Sequence, residues 1–314
     1  MSTKLKLIAA AGLIFTQIYF IGSAGGAINR NVTPTDVYYL VKSVDESLMK
    51  DNGLSSQFNK QPLSLNVNPR NVYQKIANVI AEFNTLYPKS ISTKLVSSKV
   101  GKVGNNPLAS DVYDLVSMMK DALNKNNSFS TTTDAISPKK PSDVFQLLRQ
   151  LSAHISEASD KKGLNVNSLW SAGRVYEANY LVFLAGVQKL ANDHGVEYSK
   201  YNHPVSAESG KKPKDVFSKI TSAHNSLSNY YVKITDRSYT PVVLEDIADK
   251  QNITPIDVFD LVQIATGELK YIAGKIQLSR TEKFKYSSWV KNTKVLPGHV
   301  YVLVSYIESI TQTL

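Results

Sequence analysis

One short pattern recurs eight times along this chain of 314 residues, and it limits the possible folds more than any other feature. Its form is Pro-x-Asp-Val-aromatic, followed by apolar residues at helical spacing. Clear copies are Pro34-Thr35-Asp36-Val37-Tyr38, Pro141-Ser142-Asp143-Val144-Phe145, Pro213-Lys214-Asp215-Val216-Phe217 and Pro255-Ile256-Asp257-Val258-Phe259. Near copies are Pro69-Arg70-Asn71-Val72-Tyr73 and Pro297-Gly298-His299-Val300-Tyr301. Asp111-Val112-Tyr113 keeps the centre of the pattern with its proline at Pro107, and Arg174-Val175-Tyr176 lacks both proline and acid. The valines stand at 37, 72, 112, 144, 175, 216, 258 and 300, so the period is degenerate, 31 to 42 residues.

The pattern has a mechanical reading. With Thr33 as N-cap, Pro34 occupies the first helical position, where its missing N–H is harmless. Asp36 then falls at the third, where its carboxylate completes a capping box and meets the positive end of the helix dipole. Thr254, Pro255 and Asp257 repeat the arrangement. Val32, Val67, Ile253 or Val295 precedes the cap in four copies, and the motif valine is the fourth helical residue, which is the spacing of a hydrophobic staple. The aspartates are therefore read as caps and not as a ring of catalytic carboxylates. Removing one should cost about 0.5–2 kcal/mol of local stability.

Each start is followed by an amphipathic helix. Apolar residues Val37, Tyr38, Leu40, Val41, Val44 and Leu48 form one helical stripe, and Val72, Tyr73, Ile76, Val79, Ile80 and Phe83 form the next. The aromatics beside the valines (Tyr38, Tyr73, Tyr113, Phe145, Tyr176, Phe217, Phe259 and Tyr301) widen that stripe and are read as core, in preference to a stacked ligand groove. The expected fold is all-α, with eight amphipathic helices arranged as two helical bundles or an irregular α-solenoid. The connectors are too long for the tight links of an up-down bundle and run over its surface. Pro241 to Ala248 is the best short-helix candidate among them, because proline and early acids mark a start.

Residues 1–27 carry the three parts of a secretory signal. Lys4 and Lys6 come first, an apolar run from Leu7 to Ile21 follows, and small residues then allow cleavage after Ala24 or Ala27. An uncleaved anchor helix is the competing reading and the weaker one, because the run lies near the lower limit for spanning and contains Thr16 and Gln17. The domain plan is a signal at 1–27, helical repeats one to four over 28–160 and five to eight over 161–314, with one continuous domain as the alternative. The boundary is set at Asp160-Lys161-Lys162-Gly163. The helix after Val175 contains a nearly unbroken apolar run from Tyr180 to Ala185, which fits the joint between the halves.

The chain has no cysteine, which excludes disulfide frameworks, thiolate zinc sites, cysteine nucleophiles and lipid attachment through cysteine. Export without cysteine suits a periplasmic or extracellular location. The net charge of +10 is spread thinly: +2 on Lys4 and Lys6, +3 over residues 7–160 and +5 over 161–314. Only six of the 36 basic residues are arginine, so specific nucleic-acid recognition, which favours the bidentate guanidinium, is not expected. The densest basic cluster is Lys211, Lys212, Lys214 and Lys219, interrupted by Pro213 and Asp215.

No reaction motif accompanies this architecture. The histidines are His154, His194, His203, His224 and His299, and none belongs to a zinc-protease motif. A metal site from His194 and His203 with Asp193, Glu197 and Glu208 is conceivable, but surface histidines in a loop are the plainer reading. Gly101-Lys102-Val103-Gly104 lacks the setting of a phosphate loop, and no serine elbow or dinucleotide turn is present. Trp170 and Trp289 lie in connectors, as anchors or, less simply, as sugar-stacking platforms. No catalytic, cofactor or metal residue is assigned.

The expected function is a non-catalytic, exported helical repeat protein that binds a partner or scaffolds an assembly in the bacterial cell envelope. The alternative is a periplasmic small-molecule or anionic-polymer binding protein, and an enzyme is a distant third. The expected partner is an envelope protein, and the membrane is met only through an uncleaved signal segment.

Overall fold

The computed structural model describes residues 32–55, 67–103, 106–125, 137–164, 171–201, 206–235, 239–246, 252–273, 289 and 293–314. The signal segment, Trp170 and His203 lie outside these residues. The protein is all-α, with no strand among the described residues. Its helices are α1 (Pro34–Asp51), α2 (Pro69–Leu86), α3 (Thr93–Lys102), α4 (Ala109–Lys125), α5 (Pro141–Lys161), α6, α7 (Pro213–Ile234), α8 (Pro255–Ala273) and α9 (Pro297–Thr311). Helix α6 runs over Ala172–Ala178, continues as a π-helical turn over Asn179–Leu184 and resumes over Ala185–Asp193.

The recurring signature builds the helix starts. The backbone N–H of the N-cap residue donates to the side chain three residues on. The distance is 2.7 Å at Thr33 to Asp36, Leu108 to Asp111, Lys140 to Asp143 and Lys212 to Asp215, and 2.8 Å at Thr254 to Asp257. The degenerate copies use other acceptors for the same bond, Asn71 Oδ1 at 2.9 Å from Asn68 and His299 Nδ1 at 2.9 Å from Leu296. Only the start of α6 departs: Arg174 cannot accept, and its guanidinium pairs with Glu177 instead at 2.5 Å. All eight motif valines are buried. Of the aromatics, Tyr73, Phe145, Tyr176, Phe217 and Phe259 are buried, whereas Tyr38, Tyr113 and Tyr301 are half-buried. The expected core role therefore holds for five of the eight. Tyr38 and Tyr301 instead carry a lysine over the ring, Lys139 at 4.7 Å and Lys211 at 3.9 Å from the centroids.

The described helices fall into two compact units, α1–α5 and α6–α9, dividing between residues 169 and 170. In the first unit, α1 packs on α4 and α5, and α2 packs on the same two, so the four long helices form a ring around one core. Their starts meet at one end: Pro34, Val37, Pro69, Val72, Ala109, Val112, Pro141 and Val144 enclose a small apolar cavity. At the other end, Tyr87 beyond α2 donates to Asp51 of α1 at 2.5 Å, and Lys161 of α5 reaches the carbonyl of Gly53 at 3.3 Å. All four long helices therefore run parallel. Parallel packing brings like ends of the helix dipoles together, which is unfavourable unless offset. Asp36, Asp111 and Asp143 in the first turns and Lys50, Lys125 and Lys161 in the last turns supply that offset.

The second unit has the same plan. Both α8 and α9 pack on α6 and on α7. Near the starts of α6 and α9, Trp289 lies 4.9 Å from the Tyr176 ring and 5.6 Å from His299. Near the ends of α7 and α8, Tyr239 lies 6.3 Å from Tyr231 and 5.1 Å from Tyr271. Contacts between α7 and α9 advance together along both helices, Lys211 to Tyr301 and then Lys219 to Glu308, so these two are parallel as well.

A parallel ring explains the long connectors, because each must return the length of a helix. Eighteen residues of α-helix, as in α1, span about 27 Å. The two second connectors do this differently. In the first unit the return contains α3. In the second, residues 239–246 are extended, which corrects the short helix expected from Pro241 onward; Ile247 and Ala248 lie outside the described residues. The reason is visible in the burial: Val242 and Leu244 are buried while Val243 between them is 67% exposed, a period of two. Side chains of the helices satisfy its backbone. Glu268 accepts from Val242 N–H at 3.3 Å, Asn225 both donates to and accepts from Leu244 at 2.9 and 3.1 Å, and His224 Nε2 lies 2.6 Å from the Val242 carbonyl.

At the π-helical turn of α6, Asn179 is fully buried, and its Nδ2 donates at 2.8 Å to the Val175 carbonyl, an acceptor it shares with its own backbone N–H. The expected heavy burial of this helix is present, with Tyr180, Val182, Phe183, Leu184 and Ala185 all buried.

Candidate functional site

The site begins with the stripe that α7 turns away from its core. Phe217, Ile220 and Ala223 are buried, so Lys214, Asp215, Ser218, Lys219 and Ser222 lie on the other side at successive turns. The parallel neighbour α9 presents Tyr301 and Glu308, and the extended return contributes Asp246. With Lys211 these residues line an open groove of about 440 Å³ within the second unit.

The charges of the groove are paired across its walls. Lys219 Nζ crosses from α7 to Glu308 of α9 at 2.5 Å and lies 6.0 Å from the Tyr301 ring. Lys211 stands over the same ring and pairs with Glu208 at 3.0 Å. Glu208 and the phenol both hold the Lys211 ammonium above the usual lysine range, Glu208 more strongly. Ser218 donates to Asp246 at 3.2 Å, which fixes the extended return against α7. At the mouth, the backbone of Glu208 passes so close to Gly298 that a Cβ there would lie 2.0 Å from the Glu208 carbonyl oxygen. Glycine is therefore required at this second position of α9, where α5 has Ser142.

Of the basic cluster singled out in the sequence, the structure gathers Lys211, Lys214 and Lys219 into the groove, while Lys212 serves as the N-cap of α7. The sequence presents Tyr301 as a core aromatic of the motif and Asp246 as part of a short helix, while Glu308 carries no signal beyond its residue type. The conceivable metal cluster is not assembled among the described residues, where no group of three ligands could hold an ion. Asp193 pairs with Lys189, Glu208 with Lys211, and His194 packs edge-on against Tyr230 at 5.4 Å. Among the other histidines, His154 is buried 2.7 Å from Asp45, His224 holds the extended return and His299 caps α9. Trp289 is wedged between Tyr176 and His299, the arrangement of an anchor.

Comparison of the chain with protein-family models, curated proteins and solved structures found no match. The groove's chemistry therefore rests on its own residues. Among the described residues, no helix is long and apolar enough to cross a membrane.

Proposed function

We propose that this protein is an exported, non-catalytic binding component of the bacterial cell envelope, and that the α7–α9 groove is where it binds. The observation that carries the reading is the groove itself: a concave site of ligand size, about 440 Å³, lined by side chains already fixed by their neighbours. The repeated carboxylates lend support from the other side. Asp36, Asp111, Asp143, Asp215 and Asp257 each accept an N-cap N–H, a structural task that accounts for their recurrence. We read the eight starts as one degenerate repeat and the two four-helix rings as copies of a single plan. A chain that repeats a scaffold and varies one face of it suits binding.

A scaffold role, in which the protein organises an envelope assembly, is the second reading, and the capped helix starts of each unit favour it. Both are tested with the tagged, full-length protein expressed in a bacterial host. Fractionation should place the processed chain outside the cytoplasm, and envelope components cross-linked to it should be lost when Lys219 and Tyr301 are both changed to alanine. Retention in the cytoplasm rejects export. Cross-linked species that persist in the double variant reject the groove as the binding site.

A further inference from the structure

We infer that the α7–α9 groove takes an uncharged, polyhydroxylated ligand, a short oligosaccharide, and this rests on the groove being the protein's binding site. The argument starts from the balance of its lining: three lysines (Lys211, Lys214 and Lys219) face three carboxylates (Asp215, Asp246 and Glu308), with the hydroxyls of Ser218 and Ser222 between them. A site for a polyanion gathers cations, and a site for a polycation gathers carboxylates, so that the local field favours the ligand. Here the formal charges cancel within the groove, and neither kind of polymer finds a favourable field. An apolar ligand is no better served, because burying these groups without partners would cost more than the contact returns.

A sugar ring asks for the opposite of a one-sign field. Each hydroxyl donates one hydrogen bond and accepts up to two, so successive hydroxyls need donors and acceptors side by side. Asp215, Ser218, Lys219 and Ser222 supply them in alternation along one face of α7. From Asp215 to Ser222 the helix rises about 10 Å, the length of roughly two pyranose rings. The volume of about 440 Å³ lies in the ordinary range for small-ligand sites.

The charges are also pre-set for this task. An ammonium has three donors and a carboxylate about four acceptor positions, so a single partner orients the group and leaves capacity for a ligand. Lys219 has Glu308 at 2.5 Å, Lys211 has Glu208 at 3.0 Å, and Asp215 accepts from the Lys212 N–H at 2.7 Å. A ligand binding here orders little that is not already ordered. Tyr301, half-buried at the groove wall, adds an amphipathic ring beside the polar stripe.

The test is calorimetric titration and saturation-transfer NMR of the full mature chain with three uncharged trisaccharides, the N-acetylglucosamine trimer, maltotriose and cellotriose, and with inorganic polyphosphate as the anionic comparator. At least one trisaccharide should bind saturably, with an affinity that added salt leaves unchanged, and more tightly than polyphosphate does. Lys219→Met, which keeps the stem and removes the ammonium, should weaken that binding about tenfold or more. The variant Ser222→Ala should also weaken it while the melting midpoint stays at the wild-type value. Three results each overturn the inference: none of the trisaccharides binds, polyphosphate binds more tightly, or the folded serine variant binds as the wild type does. Envelope cross-links that depend on Lys219 and Tyr301 and survive a trisaccharide failure would remove only the oligosaccharide. Loss of both would remove the groove as a site.

Discussion

The contact between the second and fourth long helices occurs twice in this molecule, as α2 with α5 and as α7 with α9, and the two have opposite characters. Lys75 and Lys219 are each the seventh residue of their helix, and Phe145 and Tyr301 are each the fifth of the facing one. In the first unit Lys75 is 1% exposed, Phe145 is fully buried and Ser152 donates to the buried Glu82, so the contact is closed. In the second, the Lys219 side chain keeps 31% of its exposure, Tyr301 is half-buried and the carboxylate stands on α9 as Glu308, so the contact opens into the groove. The same helix contact with the same lysine is sealed in one unit and opens into a groove in the other, according to the residues that face the lysine: Phe145 and Ser152 in the first, Tyr301 and Glu308 in the second.

Four measurements test whether the two units differ in this way. The largest effect is expected at the paired lysines. Lys75→Ala removes a buried stem and strands its buried surroundings, which should destabilise by about 3–5 kcal/mol in urea titration. Lys219→Ala, at a partly exposed pair, should cost less than about 1 kcal/mol. Equal losses would mean that the two interfaces are not different in kind.

Next comes the glycine at the groove mouth. Gly298→Ala forces a Cβ onto the Glu208 carbonyl and should lower stability by about 2 kcal/mol or more, whereas Ser142→Ala at the matching position of α5 should shift it by less than about 0.5 kcal/mol. A silent Gly298→Ala would show that the 206–212 segment does not sit on α9 in solution.

The units should also differ toward acid. His299 and His224 are both held below the ordinary histidine value, mainly by burial, and His224 Nδ1 has no partner among the described residues. A depressed base takes up its proton first in the unfolded chain, so the stability these residues contribute is complete above about pH 6.5 and lost as the pH falls through their folded values. In the first unit, the buried His154 lies 2.7 Å from the Asp45 carboxylate. Asp36, lowered mainly by its Thr33 hydrogen bonds, loses its contribution only as the pH falls below the ordinary carboxylate range. Hydrogen exchange at pH 7.5 and 5.5 should therefore show protection falling first in α7–α9. Uniform loss across both units would contradict this.

The smallest effect is expected at the exceptional start. Arg174→Asp gives α6 the acceptor that the other starts have, facing the N–H of Ser171, and removes the Arg174 pair with Glu177. The net change should be a stabilisation under about 1 kcal/mol, against a loss of about 0.5–2 kcal/mol for Asp143→Ala. A destabilised Arg174→Asp would mean that the pair with Glu177 matters more than a cap at this start.

Much of the fold was legible because helix capping is local. Proline at the first position, an acceptor at the third and valine at the fourth act within one turn, so Asn71 and His299 could be placed in the series although neither matches the consensus. The helix stripes follow from a period that needs no partner. The extended return was misread for the same reason: a proline followed by two acids looks like a helix start, but Val242 and Leu244 found a groove and Asn225, His224 and Glu268 found their backbone groups. The groove was only half visible. Its lysines cluster in sequence, yet Tyr301 and Glu308 join them only because α9 lies beside α7 in the same direction.

Where helices begin, which face each one buries and the all-α class follow from local residues alone, because capping and amphipathic burial are settled within a few positions. The tertiary structure decided that all the long helices of each unit point the same way, which contact is sealed and which is open, and what the lysines do. Direction and neighbour choice depend on contacts between residues about a hundred positions apart, such as Lys219 with Glu308 or Asp45 with His154, and no local pattern encodes them.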